Sequence, residues 1–131
     1  MNPEDLKART RAFGLRIMRL AESLPDTPTA RVIRNQILRC GPSVGANYRA
    51  ACRAKSKPDF VSKMGTVEEE ADETIYWMEL LIDAEIVKRP RIVDLLDEAD
   101  QILSIVISSI KTAKGLPANP QSAIRNHKSY A

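Results

Sequence analysis

Four stretches of this chain repeat their apolar residues at spacings of three and four, and each is entered through a proline. Leu6, Phe13, Ile17, Leu20 and Leu24 follow Pro3, and Ile33, Ile37, Cys40, Val44, Asn47 and Ala51 follow Pro28. Phe60, Met64, Val67, Ala71, Ile75, Met78 and Ile82 follow Pro58, and Ile92, Leu96, Ala99, Leu103, Val106 and Ile110 follow Pro90. This period lines one stripe of an α-helix with apolar side chains, and proline is tolerated in a first helical turn because its missing N–H has no intrahelical partner there. Asn2, Thr27 and Ser56 stand where a capping side chain is needed, and Asp59, three residues after Ser56, makes a capping-box variant. Four seams predict an all-α fold, an antiparallel up-down four-helix bundle with helices over about 3–24, 28–54, 57–86 and 90–113. Residues 1–114 make one domain, and 115–131, with two prolines and no period, read as a mobile tail.

Composition agrees with helices. Hydrophobic residues are 44% of the chain but aromatics only 5%, so the core must come from Leu, Ile, Val, Ala and Met. Cys40 and Cys52 on one straight helix would lie about 18 Å apart, beyond the reach of a disulfide. Free thiols and an N-terminal stretch that carries acids and no apolar core segment fit a cytoplasmic protein, and no run is long enough to span a membrane. Catalysis is not expected. The only histidine is His127 in the tail, so a Glu-x-x-His di-iron site cannot be assembled, Cys40 has no base to activate it, and neither metal nor cofactor is expected. There is no glycine-rich phosphate loop.

Charge is distributed in blocks. Between Asp26 and Asp59 there are seven basic residues and no acid; from Asp59 to Glu85 there are nine acids against Lys63 alone. On a helix, Arg31, Arg34, Arg39, Arg49 and Arg53 fall within a sector of about 140° opposite the apolar seam, which is either an ordinary solvated face or an anion-binding one. Asn47 falls inside the seam, where a buried amide would fix register or oligomer state. Tyr76 and Trp77 read as core or subunit interface, with a base-stacking platform as the alternative. Pro42, in mid-helix, should kink or briefly break the second helix. The opposed blocks must pair either within a hairpin or between subunits, where they would favour head-to-tail association of protomers.

Gln36, Arg39, the Ser43-Val44-x-x-Asn47 core, Ser56, Asp59-Phe60, Lys63, Glu69-Glu70-Ala71, Glu73-Thr74, Tyr76-Trp77 and Glu79-Leu80-Leu81 together have a further significance. Over residues 36–81 the sequence resembles the four-helix-bundle family encoded in intervening sequences of bacterial large-subunit ribosomal RNA genes. The resemblance implies a protomer that assembles into a ring-shaped homopentamer. It also implies kinship with the accessory protein of diversity-generating retroelements, a basic pentamer that binds nucleic acid and a reverse transcriptase. Family members often carry an acid soon after the Asn, whereas this chain has Arg49-Ala50-Ala51. The expectation is a non-enzymatic oligomer that binds RNA or DNA backbone through Arg31, Arg34, Arg39, Arg49 and Arg53. Asn47, Ser43, Glu69, Glu73, Tyr76 and Trp77 would serve structure or the subunit interface. The alternative is a structural ring or adaptor for a protein partner.

Overall fold

The computed structural model describes residues 1–116 and contains α1 (Pro3–Glu22), α2 (Pro28–Ala51), α3 (Lys57–Asp83) and α4 (Arg89–Ala113), with no strand among the described residues. The tail expected from residue 115 lies, from residue 117 onward, outside the described residues. Thr10 lies against Gly45, Gly14 against Pro42 and Ile17 against Gly41, so α1 and α2 run antiparallel. The short connections 23–27, 52–56 and 84–88 bring each helix back beside the one before it. α4 closes against α1 in the lightest of the four helix joints.

Caps start three of the helices as local chemistry dictates. Asn2 Oδ1 accepts from the Asp5 N–H at 2.9 Å, Thr27 Oγ1 from Ala30 at 3.2 Å and Ser56 Oγ from Asp59 at 3.1 Å. The Asp59 carboxylate reaches back to the Lys55 N–H at 3.1 Å, one residue before the cap, and accepts from Lys63 Nζ. α4 has no side-chain cap at Lys88. The first three helices end two or three residues earlier than the periodicity suggests, while α4 ends at the expected position, Ala113. α3 stops at Asp83 because Glu85 takes φ 60°, and its N–H donates to the Ile82 carbonyl while that of Ile86 donates to Leu81. This is a Schellman closure with glutamate in the left-handed position that glycine prefers. α4 ends the same way on Gly115, at φ 76°.

The seams meet in one core in which Ile17, Ile37, Val44, Met64, Val67, Met78, Leu81, Ile102 and Val106 are wholly enclosed. One expectation for α2 is corrected, and of the kink or break expected at Pro42 the break does not occur. Asn47 is only half-buried, and its Nδ2 donates to the Ser43 carbonyl of its own helix at 2.8 Å; Tyr48 takes the inward place instead. The seam runs 33, 37, 40, 44, 48, 51, following the 3.6-residue turn of a straight helix rather than a strict heptad. Nor does Pro42 break α2, which is continuous from Pro28 to Ala51. The carbonyl that Pro42 leaves free belongs to Leu38, on an exposed stretch of the helix where water can take it. The step is held from the other side by α1. A Cβ on Gly41 would stand 2.6 Å from Cγ2 of the enclosed Ile17, and one on Gly14 3.3 Å from Pro42 Cα. Glycine is required there by close approach.

Candidate nucleic-acid interface

The bundle divides into two layers of opposite charge. α1 and α2 carry nine basic side chains and three acidic ones, whereas α3 and α4 carry five basic and twelve acidic. One arginine spans each joint between the layers. Arg9 of α1 grips Glu98 of α4 through both ends of its guanidinium, at 2.8 and 2.7 Å, and also donates to Gln101 at 2.6 Å. Arg39 of α2 donates to Glu73 and reaches Glu70 of α3 at 3.5 Å. A bidentate Arg–carboxylate contact of this kind fixes orientation as well as charge.

These contacts sort the five arginines expected to form one face. Arg39 is committed to α3. Arg31 lies 2.9 Å and Arg34 3.7 Å from the exposed Asp26 carboxylate in the α1–α2 connection. Arg49 and Arg53 are exposed and make no ion pair among the described residues. Arg49 lines a groove of about 800 Å³ between α1 and α2, and the opposite wall supplies Lys7, Arg11 and the carboxylate of Glu4. Lys7 is held by Glu4 at 3.2 Å, while Arg11 is exposed and likewise without an ion pair among the described residues. The other end of the groove is apolar, with exposed Leu15 and Met18 beside Pro42. Lys7 and Arg11 are absent from the basic face read off the sequence, although a signal was there. From Leu6 to Ala21, α1 has five basic residues and no acid.

The residues that carry the family resemblance gather elsewhere, along the α2–α3 joint. Trp77 is half-buried, its indole N–H donating to Glu73 at 3.3 Å, and its ring meets Tyr76 edge-on with centroids 5.2 Å apart. Tyr76 is exposed, and Glu69 is exposed on the same helix. The hydrogen bond from Arg39 holds the Glu73 carboxyl below the usual carboxylate range, against partial burial, with a further contribution from Trp77. Ser43 Oγ donates to the Arg39 carbonyl at 2.6 Å, a contact internal to α2. Beneath this joint Cys40 is buried, and burial pushes its thiol up, away from the thiolate that nucleophilic chemistry requires. Cys52 is also free. Among the described residues, no cluster of three or more His, Cys, Asp or Glu is arranged to hold a metal ion, and no helix is long and apolar enough to cross a membrane.

Comparison with known proteins places this geometry among relatives. Residues 4–108 match the model of the 23S rRNA-intervening sequence protein family. A solved structure from Bacteroides thetaiotaomicron, described as a protein of unknown function from the S23 ribosomal protein family, is 37% identical. It superposes with a TM-score of 0.78 over 85% of this chain and 99% of its own. Among curated proteins, none matches the sequence.

Proposed function

This chain belongs to the 23S rRNA-intervening sequence protein family, and from that premise we propose that it is a non-enzymatic, ring-forming cytoplasmic protein that binds nucleic-acid backbone. The binding surface is the basic α1/α2 layer. The observation that carries this reading is the exposure of Arg11, Arg49 and Arg53 without an ion pair among the described residues, the first two on opposite walls of one groove. Guanidinium groups left free in this way suit phosphate oxygens. The other arginines of α2 have a different role, with Arg39 cross-bracing the bundle and Arg31 and Arg34 gathered on Asp26.

Self-association is part of the same reading. The opposed layers let the basic face of one protomer approach the acidic face of the next, and exposed Leu15, Met18 and Leu38 on one side and Tyr76 on another offer apolar contact. Five subunits is the number the family resemblance supports. A ring would present the arginine groove repeatedly to one strand or duplex, raising a weak contact by avidity.

Light scattering at micromolar concentration and physiological salt tests assembly, and a monomeric mass would remove the ring. Titration of labelled oligonucleotides at two salt concentrations, comparing wild type with Arg49→Glu/Arg53→Glu, tests the surface. Wild-type affinity should fall steeply with salt and the reversed variant should lose binding while keeping its mass. Binding that survives charge reversal would dissociate this face from phosphate and leave the protein-adaptor reading in front.

A further inference from the structure

Resting on the backbone-binding reading, we infer that the ligand of the α1/α2 face is double-stranded nucleic acid rather than an unpaired strand. Three observations carry this. First, the basic layer has no exposed aromatic among the described residues. Phe13 and Tyr48 of α1 and α2 are buried, and the exposed Tyr76 with its neighbour Trp77 lies on α3, beside Glu73 and in line with Glu69 and Asp72. Proteins that hold unpaired strands rely on bases stacking on aromatic rings. Here a strand that reached the rings would bring its phosphates against carboxylates.

Second, the groove floor cannot read bases. Beside the charged Glu4, Lys7, Arg11 and Arg49 it is made of Ala8, Thr10, Gly14, Leu15, Met18, Pro42, Gly45 and Ala46; the backbone groups lie within helices, the buried Thr10 hydroxyl is spent on the Leu6 and Lys7 carbonyls, and the remaining uncharged side chains offer a base edge no hydrogen-bonding N–H or oxygen. Third, the groups left to meet a ligand are cationic, and where they meet backbone phosphates charge density decides between ligands. A duplex presents one phosphate per 1.7 Å of axis, and displacing its denser counterion cloud yields about 0.9 ions per phosphate against about 0.7 for a single strand. RNA and DNA duplexes share this chemistry.

The difference can be sized. For three phosphates neutralised by Arg11, Arg49 and Arg53, and equal affinities at 1 M salt, the two slopes favour the duplex about sixfold at about 50 mM salt and just under threefold at about 200 mM. Over the same interval duplex affinity falls about 40-fold and single-strand affinity about 20-fold.

The test is fluorescence anisotropy with a labelled RNA duplex of about 20 base pairs, the matching DNA duplex, and single strands of equal length that do not self-pair, at both salts. The oligomer is used as it stands. A severalfold duplex preference that narrows with salt, is lost in Arg49→Glu/Arg53→Glu, and is unchanged in Tyr76→Ala is the expected result. Preference for one duplex type over the other would identify the source without altering the inference. Single strands bound as tightly as duplexes at low salt, or weakened by Tyr76→Ala, would overturn it while leaving backbone binding intact. No salt-dependent binding to any of the probes would overturn both.

Discussion

The two layers of this bundle place their glycines differently. α1 and α2 approach so closely that Gly14, Gly41 and Gly45 each have a neighbouring helix within 3.3 Å of where a Cβ would stand. Gly65 of α3 has nothing within 4 Å. The close approach is made in the basic layer, and Gly65 stands on an open side of the acidic one. Close packing gives a surface that crowds basic side chains a rigid base: Arg11 of α1 and Arg49 of α2 line one groove along the joint that the glycines hold shut. In the acidic layer Glu98 and Glu73 are held by the two arginines that reach across, and Asp59 by Lys63 of its own helix.

The comparison can be broken most directly at its tightest point. Gly41→Val should destabilise the protein by about 3 kcal/mol or more, because the added branches meet an enclosed Ile17 that has no space to yield. Denaturant titration reads the loss, and an unchanged midpoint would show that α1 and α2 can separate freely. Gly65→Ala, the counterpart in the other layer, should stabilise by about 0.5–1 kcal/mol through helix propensity alone. The pair of substitutions is informative because the chemistry is similar and the expected signs are opposite.

Arg9→Ala should cost about 1–2 kcal/mol, since it removes charge-assisted hydrogen bonds to a partly buried Glu98 at the lightest joint of the bundle. Amide hydrogen exchange should quicken in α4 and the first half of α1 before other segments. Uniform loss of protection would instead mean that the joint has no local stability of its own. Glu85→Gly should stabilise by about 1 kcal/mol or slightly less by relieving the left-handed backbone at the end of α3. A thermal midpoint that falls would give the glutamate side chain an unrecognised partner.

The smallest expected effect concerns the Arg39 bridge and is a matter of pH. Glu73 sits below its ordinary 4.5 chiefly through the hydrogen bond from Arg39. The stability from this carboxylate is therefore fully present above that ordinary value and is lost as pH falls through the lowered one. Melting curves of wild type and Arg39→Ala should differ modestly near neutrality and converge in acid. Curves that stay parallel down to the acid limit would show that Glu73 does not titrate against Arg39.

Much of the architecture was readable from the chain because its signals are local. A proline at the first turn, a hydroxyl or amide before it and an apolar residue every three or four positions act within a few residues, so Asn2, Thr27 and Ser56 cap where they stand. The shift from Asn47 to Tyr48 is the instructive miss. A strict heptad and a straight helix drift apart by about 20° per heptad, so the period alone leaves two adjacent residues competing for one inward place. The larger side chain took it.

The arginine face shows where reading stops. Local periodicity put Arg31, Arg34, Arg39, Arg49 and Arg53 on one sector of one helix, and that much the sequence by itself determined. Which of them remain available depended on partners distant along the chain, since Arg39 finds Glu73 of the next helix and Arg11 comes to share a groove with Arg49 only when α1 and α2 pack antiparallel. Ion pairs and grooves form between elements. Their membership is decided by which faces the packed core turns toward one another, and only the tertiary structure contains that.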